Sequence, residues 1–277
     1  MHQPLGSWLF DRAKAAALGG VVALAGVEAL YALLRATPLW WLYMAALGFA
    51  FALVVTAVLP VWVLPLFYRL TPLADESLRA RLLALAGQAG VPTLGVWVAD
   101  QSRKSRTANA AVVGLGRTRR ILLYDTLTAT FRPEEIEAVL AHELGHHVHG
   151  DMRRGLLAQG ALSLVMFWLA DHALRAGVGV WGLAGVADPA GLAWLGLIAL
   201  VLGLLTAPLA NGFSRQLERQ ADDFALALTG NPGGFIGAME RLASLNLSER
   251  RPHRLKELVL YSHPALDRRI ARARAAL

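Results

Sequence analysis

His142, Glu143 and His146, in the run Ala141-His142-Glu143-Leu144-Gly145-His146-His147-Val148-His149-Gly150, have the types and spacing of a hydrolytic metal site. On a helix, residues four apart leave from one face, so both imidazoles reach a single cation while Glu143 stands beside them to act on water. In a chain of this composition the H-E-x-x-H pattern arises by chance about 0.01 times, which disfavours two merely solvated histidines. A hydrolytic zinc keeps three protein ligands and one position for water, so two histidines leave the set one short. Glu218 is the expected third ligand. It sits in Glu218-Arg219-Gln220-Ala221-Asp222, and Asp222, one turn on, is placed to accept a hydrogen bond from a ligand histidine. His147 and His149 are read as neighbours. One zinc ion per chain would bring the pKa of its water toward ~7, with Glu143 taking the proton and passing it to the leaving amine. That is peptide hydrolysis without a covalent intermediate. The oxyanion calls for further positive partners, and His263 and Arg269 are the candidates.

The elements that must carry these residues belong to a membrane protein. Of the 277 residues 56% are hydrophobic and 17% charged, and mean hydropathy is +0.45, too apolar for an ordinary soluble domain. Four spans are expected. Residues 15–34 carry only Glu28 as a charge, long enough to cross ~30 Å of hydrocarbon, and form a retained span rather than a cleaved leader. Residues 39–67 are uncharged and open with Trp40, Trp41 and Tyr43, an aromatic anchor at the interface; Pro60 and Pro65 kink the exit. Residues 155–170 form a third span, with Asp171, His172 and Arg175 as interfacial polarity at its far end, and 190–210 a fourth.

Basic residues flanking these segments (Arg12, Lys14, Arg69, Arg153, Arg154 and Arg215 on one side, Arg35 and Arg175 on the other) place both termini and the site in the cytoplasm. The charge of +7 is concentrated in residues 250–277. No aromatic interleaving accompanies it, so no nucleic acid is expected as partner. The absence of cysteine excludes thiolate ligands and disulfides.

Between the spans the statistics change. Asp75 starts a helix with Leu78, Leu82, Leu85 and Ala86 on one face, Val96–Ala99 reads as a strand, and residues 110–113 and 121–124 flank a glycine-bearing turn as a hairpin. Pro133, Glu134 and Glu135 open the metal helix. After the fourth span a helix continues over 211–230 with Glu218 and Asp222, followed by helices broken at Asn231-Pro232-Gly233-Gly234, Pro252 and Pro264.

At this point the chain resembles a known family, the membrane-integrated zinc metallopeptidases that include the CAAX prenyl endopeptidases and the bacterial heat-shock peptidase HtpX. The resemblance runs from Pro65-Leu66-Phe67 and Thr71-Pro72-Leu73 through Ser105 to Asn109-Ala110, Arg119-Arg120-Ile121 and Asp125-Thr126-Leu127. It then takes in Ala141 to His146, Asn211 with Ser214-Arg215, Glu218, Ala221-Asp222, Ser262-His263-Pro264 and Arg269-Ile270. It implies zinc on His142, His146 and Glu218 (H-E-x-x-H plus Glu, the gluzincin type), Glu143 as base, and His263 with Arg269 as transition-state support. It further implies that Asn109 and Ala110 lie on an edge strand that binds a polypeptide substrate by strand addition. The expected fold is a mainly α integral membrane protein: four transmembrane helices and an interleaved zincin-type α+β domain with a small sheet or hairpin. Its parts are 1–67 (two spans), 68–154 (edge strand and metal helix), 155–210 (two spans) and 211–277 (third ligand and basic helices). The Pro65-Leu66-Phe67 wording is closer to the CAAX branch, and two spans on each side of the metal helix are closer to HtpX. The resulting expectation is a quality-control endopeptidase of a bacterial inner membrane acting on membrane or misfolded proteins. A CAAX-type processing peptidase is the alternative within enzymes, and a silent peptide-binding scaffold the alternative outside them.

Overall fold

The structure is a computed structural model that describes residues 4–58, 62–114, 116, 119–247 and 249–276, without the side chain of residue 57. It divides into two compact units, one of residues 4–55 and 154–209, the other chiefly of residues 56–153 and 210–277. The chain passes between them within three helices, α2 (Trp40–Val58), α7 (Asp151–Trp181) and α8 (Leu192–Thr229).

The first unit holds α1 (Leu5–Ala36), α2 (Trp40–Val58, most of it) and the apolar parts of α7 and α8. Among the described residues, three helices are long and apolar enough to cross a membrane: α1, α7 and the run Pro189–Thr229 that contains α8. The apolar helix at Trp40–Thr56 is shorter. The expected second span over 39–67 is described in two parts, α2 and α3 (Leu64–Phe67), on either side of residues that the structure does not describe; Pro65 stands in the first turn of α3, where a missing N–H costs nothing. The kink expected at Pro60 lies outside the described residues.

Two polar expectations are corrected here. Trp40 is fully buried rather than an interfacial anchor. Its indole Nε1 donates to Asp171 Oδ1 at 2.6 Å, and its ring meets Phe167 edge-on at 6.2 Å. Asp171 is likewise buried, and α7 runs ten residues past it. Arg175 completes the group by donating Nε to Asp171 at 2.8 Å and Nη2 to the Pro38 carbonyl at 3.1 Å. A buried carboxylate so satisfied is a structural cross-link among α2, α7 and the turn before α2.

The second unit is the α+β part. Its sheet has the order β1-β2-β4-β3, formed by β1 (Leu70–Pro72), β2 (Val96–Ala99), β3 (Ala110–Val113) and β4 (Arg120–Tyr124). β3 and β4 pair antiparallel, as the hairpin reading requires, with Val112 opposite Ile121. β2 runs parallel to β4. β1, too short to show a period, is an additional edge strand whose proline is tolerated there.

α4 (Glu76–Gln88) starts as expected, Asp75 accepting from Leu78 N–H at 2.9 Å. α5 (Asp125–Thr130) leads into α6 (Pro133–Val148), the metal helix. Ile136, Leu140 and Leu144 of α6 pack with Leu82, Ile121, Leu123 and Phe235 in one core. The Asn231-Pro232-Gly233-Gly234 break is the start of α9 (Pro232–Leu245), with Asn231 Oδ1 accepting from Gly234 N–H at 2.9 Å. α9 crosses the first turn of α6 so closely that a Cβ on Gly234 would sit 2.9 Å from the Glu134 carbonyl oxygen. α10 (Arg254–Leu260) and α11 (Leu266–Arg274) close the chain.

α6 and α8 come close together at Gly145, where an added Cβ would stand 3.0 Å from Ala221 Cα and 3.3 Å from its carbonyl oxygen. Both contact atoms are backbone, so nothing can swing aside. Gly145→Ala is expected to cost about 1–3 kcal/mol by forcing the helices apart. The checks are the melting temperature and metal content of the purified protein; wild-type values for both would contradict the crossing argument.

Candidate metal centre

The crossing at Gly145 and Ala221 faces His142 and His146, one turn apart on α6, toward Glu218 and Asp222, one turn apart on α8. His142, Glu218 and Asp222 are buried. His142 Nδ1 lies 2.9 Å from Asp222 Oδ1, and His146 Nδ1 lies 2.9 Å from Asp151 Oδ2. Each Nδ1 therefore carries the hydrogen, and each Nε2 presents a lone pair.

Those two Nε2 atoms are 3.2 Å apart. Glu218 adds its carboxylate at 3.3 Å from His142 Nε2 and 3.6 Å from His146 Nε2. One ligand atom from each of the three lies within 4.8 Å of the others. With both imidazoles neutral these lone pairs converge with no hydrogen among them, and they repel unless a positive charge, a proton or a metal ion, sits in the middle. Glu218 Oε2 is buried without a hydrogen-bond partner, the orphan that a cation would satisfy. Burial alone would lower the His142 pKa, yet its bonds with Asp222 and Glu218 push it up to about 9. A cavity that holds a proton so firmly favours positive charge, and a metal competes for the same lone pair. These residues fit a metal ion with two nitrogen ligands and one carboxylate ligand, the donor set that suits zinc.

Glu143 lies on the same turn and makes no hydrogen bond or ion pair with the described residues. Burial raises its carboxyl above the ordinary carboxylate range, against the lowering influence of His142 and His146. His263 comes from the loop between α10 and α11, with Nε2 3.2 Å from Glu218 Oε1 and Nδ1 2.9 Å from Ser262 Oγ. Arg269, on α11, is buried and grips Asp222 with both arms of its fork, Nη2 to Oδ1 at 2.6 Å and Nε to Oδ2 at 2.9 Å. Its Nη2 stands 3.3 Å from His142 Nδ1 because both groups donate to the same carboxylate.

Four further residues hold the site, and residue type alone did not mark them. Asp151, the first residue of α7, is buried behind His146. Its signal was the need of every ligand histidine for an acceptor behind it. Arg215 is buried on α8, one turn before Glu218, and donates Nη1 to the carbonyls of Tyr261 at 2.6 Å and Glu257 at 2.9 Å. Asn211 donates to the Val259 carbonyl at 2.6 Å. Glu257, buried on α10, accepts from Ala265 N–H at 3.1 Å and pairs with Arg268. Together they fix the loop that brings in His263. The basic tail is thus largely neutralised within the unit: Arg250 and Arg251 meet Asp267, Lys256 meets Glu249, and Arg272 meets Asp223.

β3 is an edge of the sheet and packs beside α6. Tyr124 N–H donates to the Asn109 carbonyl at 3.0 Å. By antiparallel alternation, Asn109, Ala111 and Val113 turn their backbone toward β4, and Ala110 and Val112 turn theirs outward. The outward Val112 carbonyl accepts from His147 Nε2 at 2.9 Å. Of the two edge residues expected from the sequence, Asn109 is engaged in the sheet through its carbonyl, and Ala110 turns outward with its N–H donating to Asn109 Oδ1 at 3.0 Å, so that its carbonyl is the group it offers.

Residues 72–277 match peptidase family M48, and residues 1–69 match the family described as CAAX prenyl protease N-terminal, five membrane helices. The chain is 32% identical over 238 residues to "Uncharacterized metalloprotease YhfN" of Bacillus subtilis, covering 84% of this chain and 56% of that protein. To "CAAX prenyl protease 1 homolog" of Arabidopsis thaliana the figures are 33% identity, 84% and 55%. To "Protease HtpX" of Chromohalobacter salexigens they are 33%, 67% and 67%. The chain thus spans little more than half the length of the first two. Among solved structures, the crystal structure of S. mikatae Ste24p superposes with a TM-score of 0.87 at 26% identity, over 98% of this chain and 67% of that one. An integral membrane protein with a His-His-Glu cluster lying inside the residues 72–277 match, this chain belongs to peptidase family M48.

Proposed function

We propose that the chain is a membrane-held zinc endopeptidase that hydrolyses peptide bonds of membrane or misfolded proteins, in the manner of an HtpX-like quality-control enzyme. The observation that carries this reading is the convergence of His142 Nε2, His146 Nε2 and the orphaned Glu218 Oε2 beside an unpartnered Glu143. When bound, zinc supplies an acidified water and a polarised carbonyl. Glu143, with its carboxyl raised by burial, takes the proton of the attacking water and delivers it to the amine nitrogen as the peptide bond breaks. His263, exposed and next to Glu218, donates to the oxygen that gains charge. Arg269 acts through Asp222, keeping that carboxylate charged and His142 in its Nδ1–H tautomer. Asp151 does the same for His146.

The substrate lies extended along β3, bonded to the outward Ala110 carbonyl and to Val112 N–H. The similarity to proteins named CAAX prenyl protease 1 and to Ste24p favours a processing peptidase as second reading. A silent scaffold is disfavoured by an intact Glu143 and a complete ligand set. The distribution of flanking arginines supports four spans in a bacterial inner membrane, with the site and both termini cytoplasmic.

Purified protein in detergent is expected to cleave an unfolded polypeptide. Chelation or Glu143→Gln should lower the rate at least a hundredfold, about the contribution of a positioned base; full activity in either condition refutes the mechanism. Asp151→Ala is expected to weaken zinc about 10–100-fold, as loss of a histidine's acceptor does. Equilibrium titration with a chromophoric chelator checks it, and wild-type affinity would remove Asp151 from the site. A reporter fused after residue 277 should respond as cytoplasmic; an external response reverses the orientation.

A further inference from the structure

A cavity of about 350 Å³ opens beside the metal helix at the far end of β3. His146 lines it, so it adjoins the position of the scissile bond, and Val112, Val113 and Met152 form an apolar wall. Its charged lining among the described residues is Arg119 and Arg153, with no carboxylate between them. Arg119 is half-buried, and its Nε is buried with no hydrogen-bond partner among the described residues, whereas a guanidinium nitrogen that leaves water ordinarily finds an acceptor.

The backbone of β3 explains why a side chain must do the recognising here. The outward carbonyl of Val112 is already taken by His147, so a peptide added to this edge finds no acceptor there. The main-chain ladder stops where the cavity begins. Beyond it, an apolar wall suits a methylene stem, and a guanidinium fork suits the planar oxygens of a carboxylate. Successive residues of an extended peptide advance about 3.3 Å with alternating side chains, so one residue within about three of the scissile bond reaches the cavity.

Resting on the peptidase reading above, we infer that this cavity is a specificity subsite for a substrate carboxylate, with Arg119 as its principal recognition group and Arg153 at its mouth. The carboxylate is either an Asp or Glu side chain or the free C-terminus of the peptide.

The test uses the full-length, zinc-loaded protein and quenched peptides with amidated C-termini, carrying Glu, Gln or Lys in turn at each of three positions on either side of the bond cleaved. A parallel neutral peptide has a free C-terminal carboxylate. At one position Glu is expected to exceed Gln about tenfold in kcat/KM, chiefly through KM, with Lys below Gln. Arg119→Gln should bring the Glu to Gln ratio near one, and Arg119→Glu should turn the preference toward Lys. A preference for the free acid over the amide that collapses in Arg119→Gln assigns the carboxylate to the chain terminus instead. Arg153→Gln, on an exposed residue, serves as an independent variant and should reduce the same ratio. Cleavage with no carboxylate preference, or a preference that survives both variants, overturns this inference and leaves the peptidase reading standing. Failure of the wild type to cleave any peptide overturns both.

Discussion

The site depends on how closely two helices can approach. At Gly145 the backbone of α6 comes so near Ala221 of α8 that a single Cβ would touch main-chain atoms at 3.0 Å. Metal ligation needs three side chains of limited reach to meet at one point, and two come from α6 and the third from α8. A glycine against an alanine brings the axes together where ligands are required on either side of the contact. Leu144 and Leu140 anchor the other face of α6 in the core, so the helix cannot relax by rotating away.

Around that crossing, charge is arranged in layers. The Nε2 atoms of the histidines face inward and their Nδ1 atoms face acids, Asp222 behind one and Asp151 behind the other. Asp222 is in turn held by Arg269, and Arg215 with Glu257 fastens the loop that carries His263. Every buried charge in this chain of contacts has a partner, except the Glu218 oxygen that faces the centre. The low dielectric that makes an unpaired charge costly makes such a centre select a cation.

Much of the fold was legible because local physics and tertiary structure agree. Asp75 caps its helix, Pro133 begins the metal helix, and the apolar runs 110–113 and 121–124 that flank a glycine-bearing stretch pair as a hairpin. Where the two disagree, a partner distant in sequence decides. Trp40 and Asp171 look like interfacial residues at the ends of apolar segments, yet 131 residues of separation vanish in one hydrogen bond. The positive charge concentrated after residue 250 shows no partners in the linear sequence until Asp222, Asp223, Glu249, Glu257 and Asp267 are found beside it. β1 was too short to read, since three residues show no period.

The sequence by itself determined the chemistry: H-E-x-x-H at helical spacing, an acid in a second helix, and enough apolar length to require a membrane. These follow from residue type and local period, which need no knowledge of what lies opposite. Only the tertiary structure decided which acid stands behind each histidine, that Arg269 spends its fork on Asp222, and that Val112 rather than Asn109 shares the open edge with Ala110. Those choices depend on the distance between segments far apart in the chain, and that distance is set by packing, which a linear pattern of residue types does not encode.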